Sequence, residues 1–224
     1  MKRFLRENSL GLTFGLLFLI VLCLQAVAGH ADFNHQQATE GLPPVSLGRY
    51  VTSASFGTDV AENWQSEYLQ FSLYIFLTVW LLQKGSPESK GLDQAGLESD
   101  KEQKVGRYAE ENSPKWARVE GFRRTLFSTS LGLVMGVIFL GSWLAQSIAG
   151  VAAFNEEQLG NLQDPVSWGG YLLRPDFWNR TLQNWQSELL AVASMAILSI
   201  YLRQRGSPQS KPVGSPHTAT GVEG

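Results

Sequence analysis

The chain of 224 residues contains little of what metal and redox sites need. It has one cysteine, Cys23, and three histidines, so an intrachain disulfide is excluded and a thiolate or imidazole metal cage has too few ligands. The long apolar stretches hold no histidine, which excludes haem ligation inside a helix bundle. Phosphate-binding loops and nucleophile-elbow motifs are absent as well. We therefore expect a protein that is not an enzyme and has no cofactor or metal.

Two long stretches of the chain lack charge altogether. Residues 9–29 and residues 128–150 contain no Asp, Glu, Lys or Arg. A helix of about 20 apolar residues is long enough to cross the hydrocarbon core of a bilayer. Two shorter apolar runs follow them, at residues 69–82 and 189–202. The pattern is typical of a multi-pass membrane protein, although the mean hydropathy of the whole chain is close to zero.

The sequence repeats itself at an offset of 121 residues. Residues 5–90 and residues 126–211 are identical at 35 of 86 aligned positions, without a gap. Such self-similarity indicates a duplication. The word NWQSE occurs in both copies, at residues 63–67 and residues 184–188.

A cleaved signal peptide is the alternative interpretation of residues 9–29. Lys2, Arg3 and Arg6 precede the stretch, and the Ala-Val-Ala at its end resembles a cleavage site. However, the same stretch aligns with residues 130–150, which are internal and cannot act as a signal peptide. The repeat therefore favours a retained helix.

The sequence predicts an all-α membrane protein with four transmembrane helices, arranged as two parallel helix-loop-helix repeats. The first repeat is residues 1–90, with spans at 9–29 and 63–83 on either side of an outer loop at 30–62. An even number of spans in each repeat gives both repeats the same orientation.

The second repeat follows the same plan. It comprises residues 122–211, with spans at 128–150 and 184–203 around an outer loop at 151–183. Residues 91–121 are predicted to be a charged cytoplasmic linker, and residues 212–224 a disordered tail.

Lysine and arginine are distributed unequally between the two sides of this arrangement. Fifteen of the 18 lie in the N-terminal tail, in residues 83–124 or after Leu202, and the outer loops hold only Arg49, Arg174 and Arg180. Cytoplasmic loops carry the excess of basic residues in membrane proteins. Both termini and the linker are therefore predicted to be cytoplasmic.

The linker itself divides into two parts. Residues 85–112 are polar and poor in aromatic residues, which predicts disorder. Ser113 and Pro114 resemble a helix start, and apolar residues with basic neighbours then recur at helical spacing up to Leu126. This segment is either a basic helix lying on the inner membrane surface or an extension of the third span.

The repeated word supplies the candidate functional residues. On a helix, Asn63, Glu67, Gln70, Tyr74 and Thr78 form one polar stripe, and only the Asn and the Glu recur in the second copy. The candidate residues of the two words are Asn63, Trp64, Ser66, Glu67, Asn184, Trp185, Ser187 and Glu188.

Two roles fit these residues. The word can be a packing element at the outer end of a span, where Trp suits the interfacial aromatic belt and water reaches the carboxylates. Alternatively, Glu67 and Glu188 form a pair of carboxylates that binds a cation or relays protons. The packing role is favoured, because the polar stripe fades after Glu188 and leaves no continuous path through the second repeat.

Glycines recur at a spacing of four in the first helix of each repeat. They are Gly11 and Gly15 in the first copy, and Gly132 and Gly136 in the second. This spacing lets helices approach closely in a membrane. The four glycines are therefore predicted to mark a helix-packing interface.

The words ENWQSE and QKGSPESK, with their counterparts QNWQSE and RQRGSPQSK, resemble those of a family of small bacterial membrane proteins of unknown function. The resemblance covers nearly all of residues 1–211 and implies a location in the bacterial plasma membrane. It implies no activity, ligand or catalytic residue.

The expected role follows from these observations together. We expect an integral membrane protein with a structural or interaction role, and a small oligomeric transporter or channel that uses Glu67 and Glu188 is the alternative. The expected partners are the lipid bilayer and either a second copy of the chain or another membrane protein. The basic residues show no aromatic interleaving, so nucleic acid is not expected as a partner.

Overall fold

The computed structural model describes residues 2–222, and in that part of the chain the regular elements are helices, with no β-strand. The first half contains α1 (Lys2–Glu7), α2 (Ser9–Thr39), α3 (Leu47–Val51) and α4 (Ala54–Leu77). The all-α prediction is confirmed for the described residues.

The second half contains four further α-helices. They are α5 (Phe122–Ser128), α6 (Ser130–Gly160), α7 (Trp168–Tyr171) and α8 (Pro175–Tyr201). Helices α2 and α6 begin and end at positions 121 residues apart, and α4 and α8 begin at that same offset.

Two of the helices, and not the four predicted spans, are long and apolar enough to cross a membrane. They are α2 and α6, with mean hydropathies of 2.5 and 1.8 over their most apolar windows. Helices α4 and α8 fall short because each begins with a polar first half that includes NWQSE. Of the four predicted spans, only those at residues 9–29 and 128–150 therefore lie in helices that are long and apolar enough to cross a membrane.

The helix bounds differ from those of the predicted spans. Helix α2 continues ten residues past the predicted end at residue 29, because no glycine or proline interrupts residues 30–39. It ends before Gly41, which has a φ of 73° in the left-handed region that glycine adopts without strain. Leu162, the counterpart of Gly41 after α6, has a φ of 56°. Helix α4 ends at Leu77 rather than at residue 83.

The linker has defined turns where the sequence predicts disorder. Two 3-10 helices, Gly106–Tyr108 and Lys115–Ala117, lie in it. The basic segment was predicted to be a helix, either on the membrane surface or as an extension of the third span. It is not one continuous helix, because Gly121, with a φ of 77°, separates the second 3-10 helix from α5.

The chain divides into two compact units. The first comprises the chain up to Ala61 together with Ala145–Leu172. Its core contains Tyr50 and Tyr171, which are 3% and 1% exposed. The ring of Tyr50 packs 5.5 Å from that of Phe33, and the ring of Tyr171 packs 5.4 Å from that of Phe154.

The second unit comprises Glu62–Leu144 together with the chain from Leu173 onward. Its buried residues include Phe177, Thr181, Gln65 and Ser66. Both copies of NWQSE belong to this unit, and so do both Gly-Ser-Pro segments, at residues 85–87 and 206–208.

Candidate functional site

A hydrogen bond joins the two copies of NWQSE. The indole Nε1 of Trp185 donates to Oε1 of Gln65 at 2.6 Å. Gln65 is fully buried, and its Nε2 has no hydrogen-bond partner among the described residues. The middle residue of the first word, which the sequence analysis did not single out, is therefore the one that the second word contacts.

The serines of the two words make the same local contact. The hydroxyl of Ser66 donates to the carbonyl oxygen of Asn63 at 2.9 Å, and the hydroxyl of Ser187 donates to that of Asn184 at 2.8 Å. Hydroxyl groups in helices commonly bond back to a carbonyl one turn earlier. These contacts satisfy the serines inside their own helices and leave no hydroxyl proton for chemistry.

Trp185 lies in an aromatic cluster that contains four further rings. Its ring centroid is 5.4 Å from Trp143 and 6.2 Å from Phe139. Trp143 also contacts Phe177 and Trp178, at 6.3 and 6.1 Å. Aromatic pairs at these separations add about 0.5–1.5 kcal/mol beyond the burial of their area. The second word is therefore anchored by packing.

The two words differ in their surroundings although their letters are identical. Trp64 and Glu67 are exposed, whereas Trp185 and Glu188 are half-buried. Asn63 is exposed, and Asn184 donates from Nδ2 to the carbonyl oxygen of Arg180 at 2.9 Å. The structure thus brings the two words together asymmetrically.

The charge of Glu67, from the first word, acts on Glu188, from the second. A nearby ion pair joins Arg180 Nη1 and Glu62 Oε2 at 3.3 Å. Across residues 2–222, no group of three or more His, Cys, Asp or Glu side chains is arranged to hold a metal ion. The arrangement at the two words is a carboxylate pair beside a separate salt bridge.

Of the four glycines predicted to mark a helix-packing interface, one lies close to another helix of this chain. A Cβ atom on Gly132 would lie 2.8 Å from Cζ of Phe76 on α4. Gly11, Gly15 and Gly136 have no atom of another element within 4 Å of such a Cβ. Within this chain only Gly132 is closely approached by another helix, and the predicted packing role of the four glycines stays a prediction.

Two other glycines, missed by the sequence analysis, make the close approaches. A Cβ atom on Gly29 would overlap the hydroxyl oxygen of Tyr50, and one on Gly150 would lie 2.7 Å from that of Tyr171. The two pairs are 121 residues apart, so the identical positions of the repeat could have identified them. Burial raises the pKa of Tyr50, and the negative charges of Asp59 and Asp32 raise it further.

Two asparagines fix the loops that follow α2 and α6 in the same way. The side chain of Asn34 accepts from the backbone N–H of Val45 at 2.8 Å and donates to its carbonyl oxygen at 3.1 Å. Asn155 makes the same two bonds to Val166, at 2.8 and 2.9 Å. Each amide thereby holds the start of a short helix, α3 or α7, against the end of the preceding long helix.

The two Gly-Ser-Pro-x-Ser-Lys segments also fold alike. The hydroxyl of Ser89 accepts from the N–H of Gln83 at 2.9 Å, and that of Ser210 accepts from the N–H of Gln204 at 2.9 Å. Gly85 and Gly206 have φ values of 87° and 82°, which only glycine adopts freely. These identities of the repeat therefore specify a turn.

The lysines that close these turns differ in burial. Lys211 is 1% exposed, and its Nζ is within 2.6–3.3 Å of the carbonyl oxygens of Gly85, Pro216, His217 and Ala219. Burial lowers the pKa of Lys211, and the nearby charge of Arg203 lowers it further. Lys90, its counterpart, donates to the carbonyl oxygen of Gly96 at 2.8 Å and pairs with Glu98. That pairing lowers the pKa of Glu98.

The comparisons with known proteins can now be set beside this geometry. The family described as "Domain of unknown function (DUF6766)" matches residues 1–222. The chain belongs to this family. Neither the curated proteins nor the solved structures gave a match.

Membership in DUF6766 agrees with the resemblance to proteins of unknown function and adds no ligand or activity. The features that bear on function are therefore those of this member's own geometry. Its two words are joined at Gln65 and Trp185, its turns are closed by Lys90 and Lys211, and no residue of its first long helix is buried.

Proposed function

We propose that this protein is an integral protein of the bacterial plasma membrane, with a structural or interaction role and no enzymatic activity. The observation that supports the proposal is α2, which has no buried residue although it contains 21 consecutive uncharged residues. Leaving apolar surface in water costs about 25 cal/mol per Å². A bilayer removes that cost for a helix of this length.

In this proposal α4 and α8 are the second spans of the two repeats. Their apolar ends are shorter than a bilayer core, so the NWQSE turns lie at the outer boundary. Trp64 and Trp185 suit that position because indole rings prefer the membrane interface. The basic tails and linker then face the cytoplasm, and the outer loops with Arg49, Arg174 and Arg180 face outward.

The topology is tested by single-cysteine labelling in a Cys23→Ser background. An impermeant maleimide added to intact spheroplasts should label Glu40→Cys and Gly160→Cys and should spare Ala95→Cys and Ser215→Cys. Permeabilised cells, in which all four should react, are the control. Labelling of residues 95 and 215 in intact spheroplasts would contradict the proposed orientation.

The interaction role is supported by the glycines that have no intrachain neighbour. Gly11 and Gly15 are spaced by four residues in the first part of α2, where the surrounding residues are exposed. In a membrane this spacing favours close approach to another helix. The partner is therefore a second copy of the chain or another membrane protein, and the glycines contact that partner rather than this chain.

The carboxylate pair supports a second candidate function, a small oligomeric transporter or channel. Glu67 and Glu188 come from the two repeats, and their charges interact. Two like charges held close together attract a cation or share a proton. This candidate predicts that the pair carries a flux and that either carboxylate is indispensable to it.

Charge-neutral variants distinguish the two candidates. Glu67→Gln and Glu188→Gln keep the shape of the side chains, so a packing role predicts a change in unfolding free energy of about 1 kcal/mol or less. It also predicts no difference in proton or K⁺ flux in proteoliposomes. A transport role predicts near-normal stability and loss of a measurable wild-type flux in both variants. Glu157→Gln, at an exposed acid near the end of α6, is the matched control.

A further inference from the structure

A cavity of about 480 Å³ lies in the second unit, between the C-terminal halves of α4 and α8. Its walls are mostly aliphatic and include Leu73, Leu77, Leu189 and Val192. Small-molecule sites have volumes of about 300–1,000 Å³ and are predominantly apolar with a few polar groups. By size and by its walls, this cavity has the properties of a ligand site.

The polar groups of the cavity come from the stripe on α4 and from the turn that follows it. Tyr74 and Thr78 face the cavity together with Glu88. The hydroxyl of Tyr74 donates to Oε2 of Glu88, and the hydroxyl of Thr78 donates to the carbonyl oxygen of Tyr74 at 2.6 Å. The hydroxyls are thus satisfied within the chain, and the remaining charge in the cavity is the carboxylate.

Glu88 has no cationic partner. Among residues 2–222, no lysine, arginine or histidine nitrogen lies within ion-pair distance of its carboxylate, which is half-buried. The nearest lysine along the chain beyond it, Lys90, is already paired with Glu98. A half-buried carboxylate at the edge of an apolar cavity is stabilised by a cation.

The second copy of the turn shows that the fold does not need this charge. Gln209 stands at the position of Glu88, and Met195 stands at that of Tyr74. The N–H of Gln209 still donates to the Ser207 hydroxyl at 3.2 Å, as the N–H of Glu88 does to the Ser86 hydroxyl at 3.3 Å. The same turn forms with an amide side chain, so the carboxylate of the first copy is available for another role.

We propose that this cavity binds an alkylammonium amphiphile, with its ammonium group at Glu88 and its apolar chain against the leucine walls. The ammonium group supplies the missing positive charge and can donate to the carboxylate oxygen that Tyr74 leaves open. The alkyl chain fills the space between α4 and α8. An aminophospholipid of the membrane and a free amphiphilic amine share this chemistry.

The test compares octylammonium with 1-octanol, which has the same chain without the charge. Binding to the purified full chain in dodecyl maltoside is measured by isothermal titration calorimetry. The wild type should prefer octylammonium by at least about tenfold in Kd, which corresponds to about 1.4 kcal/mol. Glu88→Gln should reduce the preference to below about twofold, and Glu111→Gln, an exposed acid of the linker, should leave it unchanged.

A variant that fills the cavity separates binding there from partition into the micelle. Ala196→Phe places a ring at the cavity wall and should weaken both probes. Dihexanoyl phosphatidylethanolamine is then compared with dihexanoyl phosphatidylglycerol. Preference for the ethanolamine lipid assigns the site to a membrane aminolipid, and preference for octylammonium alone assigns it to free amines; either result supports the proposal. Equal binding of octylammonium and octanol to the wild type, or an unchanged preference in Glu88→Gln, overturns it.

Discussion

Replacing Gly29 with alanine is expected to lower the free energy of unfolding by about 3 kcal/mol, the upper end of the usual cost of overpacking. The added methyl group would overlap the hydroxyl oxygen of Tyr50 and lie 3.0 Å from Cζ of the same ring. Tyr50 cannot swing aside, because it is buried and its ring packs against Phe33 and Phe56 at 5.5 and 5.4 Å. Denaturant unfolding in detergent, followed by tryptophan fluorescence, measures the loss.

The second repeat provides an independent instance of the same contact. Gly150→Ala places a methyl group 2.7 Å from the Tyr171 hydroxyl oxygen and 3.0 Å from Cε1. This overlap is milder, so a loss of about 2 kcal/mol is expected. The double variant Gly29→Ala/Tyr50→Phe removes the overlapping oxygen and should recover much of the loss. If the double variant is no more stable than Gly29→Ala, the steric explanation fails.

Matched controls are available within the same two helices. Gly15→Ala in α2 and Gly136→Ala in α6 place their methyl groups in open space. Alanine is favoured over glycine inside a helix by about 1 kcal/mol, so in a monomeric preparation, where the proposed partner helix is absent, these variants should be neutral or slightly more stable. The two pairs of glycines thus predict opposite signs for the same substitution. A loss of stability at Gly15 or Gly136 would instead indicate contacts with a partner chain.

The glycine pairs show where sequence reasoning succeeded and where it did not. The spacing of Gly11 and Gly15 is a local pattern, and its usual meaning is helix packing. The contact between Gly29 and Tyr50 joins a helix to the loop that returns over it, and no period in the sequence marks such a contact. The repeat carried the missing information, because Gly150 and Tyr171 recur at the same offset.

The helices themselves were predictable from the apolar runs, whereas their ends were not. Hydropathy located α2 and α6, but it gave no reason to extend α2 to Thr39 through polar residues. The absence of glycine and proline allows the helix to continue over residues 30–39, and Asn34 within this stretch anchors the returning loop at Val45. Hydropathy alone does not reveal a polar helix end of this kind.

The asymmetry of the two words was likewise hidden by their identity. Because the two words are identical, the sequence allows a hydrogen bond from Trp185 to Gln65 or, equally, one from Trp64 to Gln186. The observed choice follows from neighbours that differ between the repeats. Trp143 packs against Trp185, Trp178 packs against Trp143, and the counterparts of Trp143 and Trp178 in the first copy are Leu22 and Gly57. Aromatic enrichment of the second copy was therefore the informative feature.

The buried side chain of Lys211 gives the second large effect expected on the stability of the protein. Lys211→Met should lower the free energy of unfolding by about 3 kcal/mol, since hydrogen bonds to charged groups contribute about 1.5–3 kcal/mol each and carbonyl groups left unpaired add a cost. Methionine is unbranched like lysine, but its side chain is one atom shorter and has no hydrogen to donate. The carbonyl oxygens that lose their donor include those of Gly85, at 2.6 Å, and His217, at 3.0 Å.

The repeat again supplies the control. Lys90→Met removes the counterpart lysine, whose side chain is 25% exposed and whose bonds are to the Gly96 carbonyl and Glu98. Exposed and half-exposed ion pairs contribute about 0–1 kcal/mol, so this variant should cost about 1 kcal/mol or less. Lys211→Arg keeps the charge but cannot fit its planar fork into a site shaped for an ammonium group, and it should recover little.

The pH dependence provides a separate measurement on Lys211. Burial and Arg203 lower its pKa in the folded state below the ordinary value of 10.5. The unfolded chain therefore binds the proton of Lys211 more tightly than the folded chain does. As a result, Lys211 makes the free energy of unfolding rise with pH between its lowered pKa and 10.5. Comparing the wild type with Lys211→Met across that window isolates the contribution, because other titrating groups are common to both. The difference in unfolding free energy should widen in favour of the wild type as the pH increases, and a difference that stays constant or narrows would contradict the burial of a charged lysine.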